Sequence, residues 1–382
     1  MAEEKKIIAK KEKQINFRDL TTCDATIQML EKAKRDGVET AWDRAINMKA
    51  CPIGADSACC KHCAMGPCRL NAKDPYSKVG VCGATIDTIM ARNFARMVAS
   101  GSAAHTDHGM SMLDLFRDVV NGKIKDYQIK NPVKLVQVAE YVGIETEGRE
   151  ISKIALELYE ELERTYTQVD GEIPFARRVP EKTLETWRKM GIVPRGAMRE
   201  IMELMHRSHM GVDQHYENIS KQCRRAALSD GWGGSMVATE ISDILFGTPS
   251  PVSIEVNMGV LKEDQVNIIV HGHEPNLFES MIESVNEPTL VQAAKDAGAT
   301  GINLVGMCCS GAEVLVRHGI PHAGNFMSTE AVLVTGAVDA MTVDVQCIKQ
   351  GLAKVADCYK TLLITTNPRC HIEGANHIEF HE

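Results

Sequence analysis

The sequence predicts an α plus α/β multidomain protein: an N-terminal helical domain with a cysteine-rich loop, followed by a Rossmann-like parallel α/β domain. Three observations predict it. At 382 residues the chain is long for one hydrophobic core. Apolar residues recur at helical spacing over the first part of the chain, and short β-branched runs alternate with helical stretches after it. Six of the thirteen cysteines crowd between Cys51 and Cys82.

The elements follow in order. The Lys- and Glu-rich residues 1–16 are expected to fray. Thr26-Ile-Gln-Met-Leu-Glu-Lys-Ala-Lys, Ile151-Ser-Lys-Ile-Ala-Leu-Glu-Leu-Tyr-Glu-Glu-Leu and Ala197-Met-Arg-Glu-Ile-Met-Glu-Leu-Met-His each carry a helical stripe. The Met-rich stretch Met198 to Met210 reads as helix core. After Gly231-Trp-Gly-Gly the texture changes, so the domains are drawn at residues 1–235 and 236–382. Val266-Asn-Ile-Ile-Val-His and Gly301-Ile-Asn-Leu-Val-Gly-Met read as strands. Ala331-Val-Leu-Val-Thr-Gly, Ala340-Met-Thr-Val-Asp-Val-Gln and Thr361-Leu-Leu-Ile-Thr-Thr continue the series. Apolar strands alternating with helices imply a parallel sheet covered on both faces. His377-Ile-Glu-Phe reads as the start of a further strand, with the chain stopping mid-fold.

Lys and Arg number 43 against 51 Asp and Glu, a net charge of -8 that gives no electrostatic reason to expect nucleic acid. The start, Met1-Ala-Glu-Glu-Lys-Lys, lacks a signal peptide's apolar core, and no apolar run reaches the roughly 18 residues needed for a transmembrane segment. A cytoplasmic location is expected. A reducing compartment argues against disulfides, so clustered cysteines point to metal.

Cys60-x2-Cys63-x4-Cys68-x13-Cys82 supplies the four thiolates of a [4Fe–4S] cluster. Gly66-Pro67, Gly80 and Gly83 let backbone amides approach its sulfurs. The competing reading is a four-thiolate structural zinc, although zinc ribbons usually pair two short C-x2-C units. Cys51 and Cys59 are then left over. Two thiolates cannot complete a cubane, so two copies across a two-fold axis are expected to share a bridging cluster. Inert buried thiols are the alternative.

A second constellation rests on strand ends. His271-Gly-His273 follows the run ending at Val270, Cys308-Cys309 follows Met307, and Cys347 follows Gln346. In an open parallel sheet such ends lie on one edge, where α/β proteins place their sites. His273, Cys309 and Cys347 are therefore expected to converge, a set that suits iron, zinc or a mixed cluster. Spacing alone leaves His271 as a rival of His273.

The stretch Cys59-Cys-Lys-His-Cys-Ala-Met-Gly-Pro-Cys-Arg resembles the cysteine knot of the anaerobic nickel–iron–sulfur carbon monoxide dehydrogenases. So do Ala91-Arg-Asn-Phe-Ala-Arg-Met, Ala104-His-Thr-Asp-His-Gly, Ser242-Asp-Ile-Leu-Phe-Gly-Thr-Pro, His271-Gly-His-Glu-Pro, Gly306-Met-Cys-Cys-Ser-Gly and Val343-Asp-Val-Gln-Cys. The resemblance implies a homodimer whose bridging cluster, [4Fe–4S] or [2Fe–2S], is held by Cys51 and Cys59 of each copy. It implies a [4Fe–4S] relay on Cys60, Cys63, Cys68 and Cys82, and a Ni–Fe–S active-site cluster bound in part by His273, Cys309 and Cys347. The implied reaction interconverts CO and water with CO2, two protons and two electrons, passed to a ferredoxin-like electron carrier. An acetyl-coenzyme A synthase subunit is a further implied partner.

The same resemblance gives His105, His108 and Asp230 catalytic roles and makes Cys308 a non-ligating neighbour. Without it, His105 and His108 read as a helix surface pair, Asp230 as a turn residue and His62 as a solvated side chain. Cys23, Cys223, Cys358 and Cys370 read as structural. Ser111 and Asp114 stand where some family members continue a histidine ladder. The family's remaining cluster cysteines and catalytic lysine are expected beyond the last residue given. Two other readings compete: a hybrid-cluster hydroxylamine reductase, and a non-catalytic electron-transfer subunit carrying only the first two clusters.

Overall fold

A computed structural model describes residues 16–381, so the frayed start expected at residues 1–16 lies almost wholly outside the described residues. The first half is helical. Its elements are α1 Asp24–Asp36, α2 Ala41–Asn47, α3 Pro52–Ala55, α4 Ile86–Val120, α5 Pro132–Val142, α6 Ile151–Thr167, α7 Glu181–Met190, α8 Ala197–Arg207, α9 Tyr216–Ser229 and α10 Met236–Phe246. Between α3 and α4 a small ribbon pairs β1 Cys59–Cys60 antiparallel to β2 Cys68–Arg69.

Helix α4 is the axle of this half. It is 35 residues long, and the Thr85 side chain caps it by accepting the Thr88 N–H. It buries Ile89, Arg92, Ala95, Ala99, Ser102, Thr106, Gly109 and Leu113 at three- and four-residue intervals. The end of α4 packs with α5, α6 and α10 around Phe116, Leu135, Leu158 and Ile241, all fully buried.

The second half is a six-stranded sheet in the order β5-β4-β3-β6-β7-β8, parallel throughout. Its strands are β3 Val266–His271, β4 Ile302–Met307, β5 His322–Gly324, β6 Ala340–Val343, β7 Leu362–Thr365 and β8 Asn376–His377. Between them run α11 Pro275–Ser284, α12 Pro288–Asp296, α13 Cys308–His318, α14 Thr329–Val334 and α15 Gly351–Tyr359. Successive strand residues point to opposite faces. Ile269 and Val305 accordingly join a core with α14, α15 and Ala33 of α1, while Val270 and Leu304 join another with Phe278 and Leu315. Both faces are covered, as the sequence predicts.

Two expectations are corrected. Ala331 to Val334 is helix, not strand, and lies in α14. All four residues are essentially unexposed, so the run is apolar on every side and carries no period to separate helix from strand. The missed edge strand is the short β5. The Met-rich stretch is not core either: Met198, Met202, Met205 and Met210 are 46%, 58%, 39% and 52% exposed. Helix α8 instead turns Ala197, Glu200 and Leu204 inward. The buried Glu200 carboxylate takes the Arg195 guanidinium and the Gln222 amide, and this polar network sets the helix rotation.

Candidate metal centres

The first centre is built on the ribbon. Its register sets Cys60 opposite Cys68, and Cys63 lies in the connection between them. Cys60, Cys63, Cys68 and Cys82 together line one small cavity, whose wall also includes Ile89 and Arg92. The Val81 N–H donates to Cys68 Sγ at 3.4 Å. A Cβ at Gly80 would stand 3.7 Å from the same sulfur, and one at Gly66 only 3.0 Å from the Cys60 carbonyl. Glycine at 66 therefore lets the backbone of this loop fold closely on itself, while position 80 has room for a Cβ. Burial alone would raise the Cys82 thiol, but hydrogen bonds from the Ala84 backbone, Arg92 and Gln214 outweigh it and favour the thiolate.

Among the described residues no three His, Cys, Asp or Glu side chains draw in tightly enough for a single ion. Four thiols around one cavity are a donor set of the kind that holds an iron–sulfur cluster. Cys59 neighbours Cys60 on a strand and faces the other way, half-buried. Cys51 is exposed at the start of α3, where the Gly54 and Ile53 N–H groups lower its thiol pKa. His62, expected to be solvated, is half-buried, and its Nε2 meets Asn93 Oδ1 at 2.8 Å. The Asn93 amide donates in turn to the carbonyls of Ser57 and Cys59, fastening this loop to α4.

The second centre lies at the carboxyl edge of the sheet. Strands β4, β3 and β6 are neighbours, so Cys309, His273 and Cys347 leave adjacent strand ends. Cys308, Gln346 and Cys347 take positive φ values of 62°, 68° and 52°, the left-handed backbone that non-glycine residues adopt reluctantly. The Gln346 amide donates to the Ala104 carbonyl at 2.7 Å, which ties the Cys347 loop to α4 one residue before His105.

Asp344 organises the histidine loop. Its Oδ1 accepts the His273 N–H at 2.6 Å and the Val345 N–H, and its Oδ2 accepts the Glu274 N–H at 2.8 Å. Gly272 makes this cradle possible: its φ is +143°, and a Cβ there would lie 1.6 Å from the Asp344 carboxylate. Burial pushes the Asp344 carboxyl up to about 8, against the pull of the N–H groups. Sequence reasoning did not single out Asp344 or Gly272, although both stand inside motifs that it quoted.

Three histidines gather beside this edge. His108 and His273 meet edge to face with ring centroids 6.4 Å apart. His108 is not a surface residue: burial, followed by the charges of His273 and His105, pushes its pKa down to about 4. Nδ1 of His108, Nδ1 of His273 and both ring nitrogens of His271 are buried without a hydrogen-bond partner. Buried imidazole nitrogens left unpaired are an open donor set for metal. Burial also depresses His273, and holds His271 near 4.

His105 is different. Its Nδ1 meets Asp230 Oδ1 at 2.9 Å, and this hydrogen bond raises its pKa. Asp230 opens a π-helical turn, Asp230–Ser235, between α9 and α10, so it is more than a simple turn residue. A Cβ at Gly234 would lie 3.0 Å from backbone atoms of His105 and Thr106. Glycine there lets the π-turn touch α4 and deliver Asp230. Arg369 donates to Asp107 and Ser111 at 2.6 and 3.0 Å, and Asp114 pairs with Arg117. Polar ties thus occupy the ladder positions. Cys308 is buried and pushed up to about 12, Cys223 and Cys370 are raised by burial, and Cys23 and Cys358 are exposed.

The comparisons with known proteins agree on one group. The model of the Prismane/CO dehydrogenase family matches residues 58–382. Carbon monoxide dehydrogenase 1 of Methanosarcina mazei is 47% identical over 359 residues, covering 94% of this chain and 57% of that protein. The carbon monoxide dehydrogenase/acetyl-CoA synthase subunit beta of Moorella thermoacetica is 43% identical over 95% of this chain and 54% of its own length. The Ni-free crystal structure of carbon monoxide dehydrogenase from Thermococcus sp. AM4 superposes with a TM-score of 0.94 at 44% identity, covering 97% of this chain and 59% of that one. The chain thus spans rather more than half the length of these relatives. With its fold, its motifs and these matches in accord, the chain belongs to the Prismane/CO dehydrogenase family.

Proposed function

We propose that this chain carries the electron relay and the first part of the active site of an anaerobic carbon monoxide dehydrogenase, which interconverts CO and water with CO2, two protons and two electrons. The observation that supports the reading is the adjacency of β4, β3 and β6, the strands after which Cys309, His273 and Cys347 follow, with His108 of α4 packed against His273. His273, with Cys309 and Cys347, is the ligand set, and His271, walled in at the end of β3, is its rival. When bound, a nickel–iron–sulfur cluster supplies a redox-active metal for carbon and a Lewis-acidic iron that lowers the pKa of water.

The protein residues do the rest. Asp230 fixes His105 Nδ1, so the imidazole's other nitrogen is left to hold or move a proton at the site. His108 stays neutral at pH 7 and can accept a proton or a hydrogen bond. The Asp344 cradle and the Gln346 tie orient the ligand loops, and the buried walls around His271 and His273 exclude water.

Cys60, Cys63, Cys68 and Cys82 hold the [4Fe–4S] relay, and Cys51 and Cys59 of two copies share the bridging cluster, [4Fe–4S] or [2Fe–2S], in a homodimer. We divide the work between a helical unit, residues 1–235, and an α/β unit, residues 236–382. Electrons leave to a ferredoxin-like carrier, and the Moorella relative makes an acetyl-coenzyme A synthase subunit a candidate partner. No helix among the described residues is long and apolar enough to cross a membrane, and we place the protein in the cytoplasm.

A hybrid-cluster hydroxylamine reductase is the weaker reading, since the relatives named above are carbon monoxide dehydrogenases. The deciding experiment is anaerobic purification with nickel and iron counting and a CO-dependent dye-reduction assay. Nickel with excess iron and CO-dependent reduction are expected. Iron without nickel, with hydroxylamine reduction, refutes the proposal. Iron without nickel and without either activity leaves an electron-transfer subunit.

A further inference from the structure

Arg92 is among the largest fully buried side chains of the protein, at 2% exposure, yet among the described residues it forms no ion pair. Its Nη2 donates only to the backbone carbonyl of Asp213, at 2.8 Å. The Asp213 carboxylate is engaged elsewhere: Oδ2 takes Arg207 and Asn218, each at 2.9 Å, and Oδ1 takes the His215 N–H. Nε of Arg92 is buried with no partner at all. Its Nη1 points to Cys82 Sγ at 3.8 Å, and the side chain lines the cavity of the four thiols.

A guanidinium cannot shed its proton, and a buried charge without a counter-charge is strongly disfavoured. The missing anion belongs in that cavity. We propose that Arg92 is the built-in counter-charge of the relay cluster, a positioning residue that stabilises its reduced, more negative state. The inference rests on the four-cysteine assignment made above. A cation held this close favours the added electron, so it raises the relay's potential and eases electron entry from the active site.

The test uses the whole chain, purified anaerobically, with Arg92→Gln and Arg92→Lys compared by dithionite titration followed by electron paramagnetic resonance. The relay signal is the one lost in Cys63→Ala. Arg92→Gln should lower the reduced-to-oxidised ratio at fixed potential about tenfold, a downward shift of about 59 mV for one electron, while Arg92→Lys stays within about threefold. Loss of relay iron in Arg92→Gln but not in Arg92→Lys also supports the role. An Arg92→Gln protein titrating with the parent refutes it, as does a Lys variant shifted equally or iron loss in both. If Cys63→Ala removes no signal from the parent, the four-cysteine assignment itself fails, which is a separate result.

Discussion

Removing the Asp344 carboxylate should be among the most costly single changes at the sheet edge. Asp344→Ala strands two buried backbone donors, the N–H groups of His273 and Glu274, and the part-buried N–H of Val345. Each unsatisfied buried donor costs about 1–3 kcal/mol, so the two buried ones alone cost at least about 2 kcal/mol before any cavity term. Against a whole-domain stability of roughly 5–15 kcal/mol that is a large fraction. Asp344→Asn keeps Oδ1 for two of the donors and sets an amide N–H against only the third, so it should lose about 1–3 kcal/mol. Urea unfolding of the metal-free chain, followed by circular dichroism, reads both values. Gly272→Ala provides a cross-check, because its Cβ would occupy the carboxylate's place, and it should cost as much as Asp344→Ala. An Asp344→Ala protein within 1 kcal/mol of the parent would show that water reaches these N–H groups and that the carboxylate does not hold the loop.

Other expectations are as definite. Asp230→Asn should return His105 toward its ordinary pKa. The partner raises that pKa in the folded state, so its stabilisation is fully present below 6.5 and fades as pH rises through the folded value; with His105 43% exposed it should be under about 1 kcal/mol. Equal losses at pH 6 and pH 9 would argue against the ion pair. His108 and His271 titrate near 4 when folded, so the unfolded chain binds more protons between 6.5 and 4. Stability should therefore fall by about 1.4 kcal/mol per pH unit for each of them on acidification through that window, and His108→Gln should remove one share of the slope. Cys63→Ala should abolish the relay iron and its absorbance while the bridging iron stays, and an unchanged iron count would remove the relay assignment. Cys51→Ala with Cys59→Ala should lower iron and weaken the dimer in gel filtration.

The order of elements was legible because burial leaves a period. Helices such as Ile151–Thr167 turn one face to the core, and Val266 to Ile269 of the strand Val266–His271 alternate between half-buried and buried. Where burial is complete the period vanishes, which is why Ala331–Val334 read as a strand. The Met-rich face of α8 misled for the opposite reason. Apolar content suggested core, yet the buried Arg195–Glu200–Gln222 network decided which face points inward. The strand-end rule drew His273, Cys309 and Cys347 toward the one carboxyl edge of a parallel sheet. His273 and Cys309 lie two residues past β3 and β4, whereas β6 ends at Val343, so Cys347 is carried on a loop within a run that reads as strand up to Gln346.

The sequence by itself determined the kinds of donor and their local spacing: four thiols in one short loop, and a histidine and two cysteines at strand ends. Local covalent geometry suffices for that, since ligands a few residues apart can reach only so far. Only the tertiary structure decided which strands are neighbours, that Asp230 reaches His105 across 125 residues, and that Arg92 is sealed in beside the thiols with no acid to meet it. Those outcomes depend on close approach, through glycines such as Gly234 and Gly272, and on the cost of burying charge. Both are properties of packed surfaces brought together from distant parts of the chain.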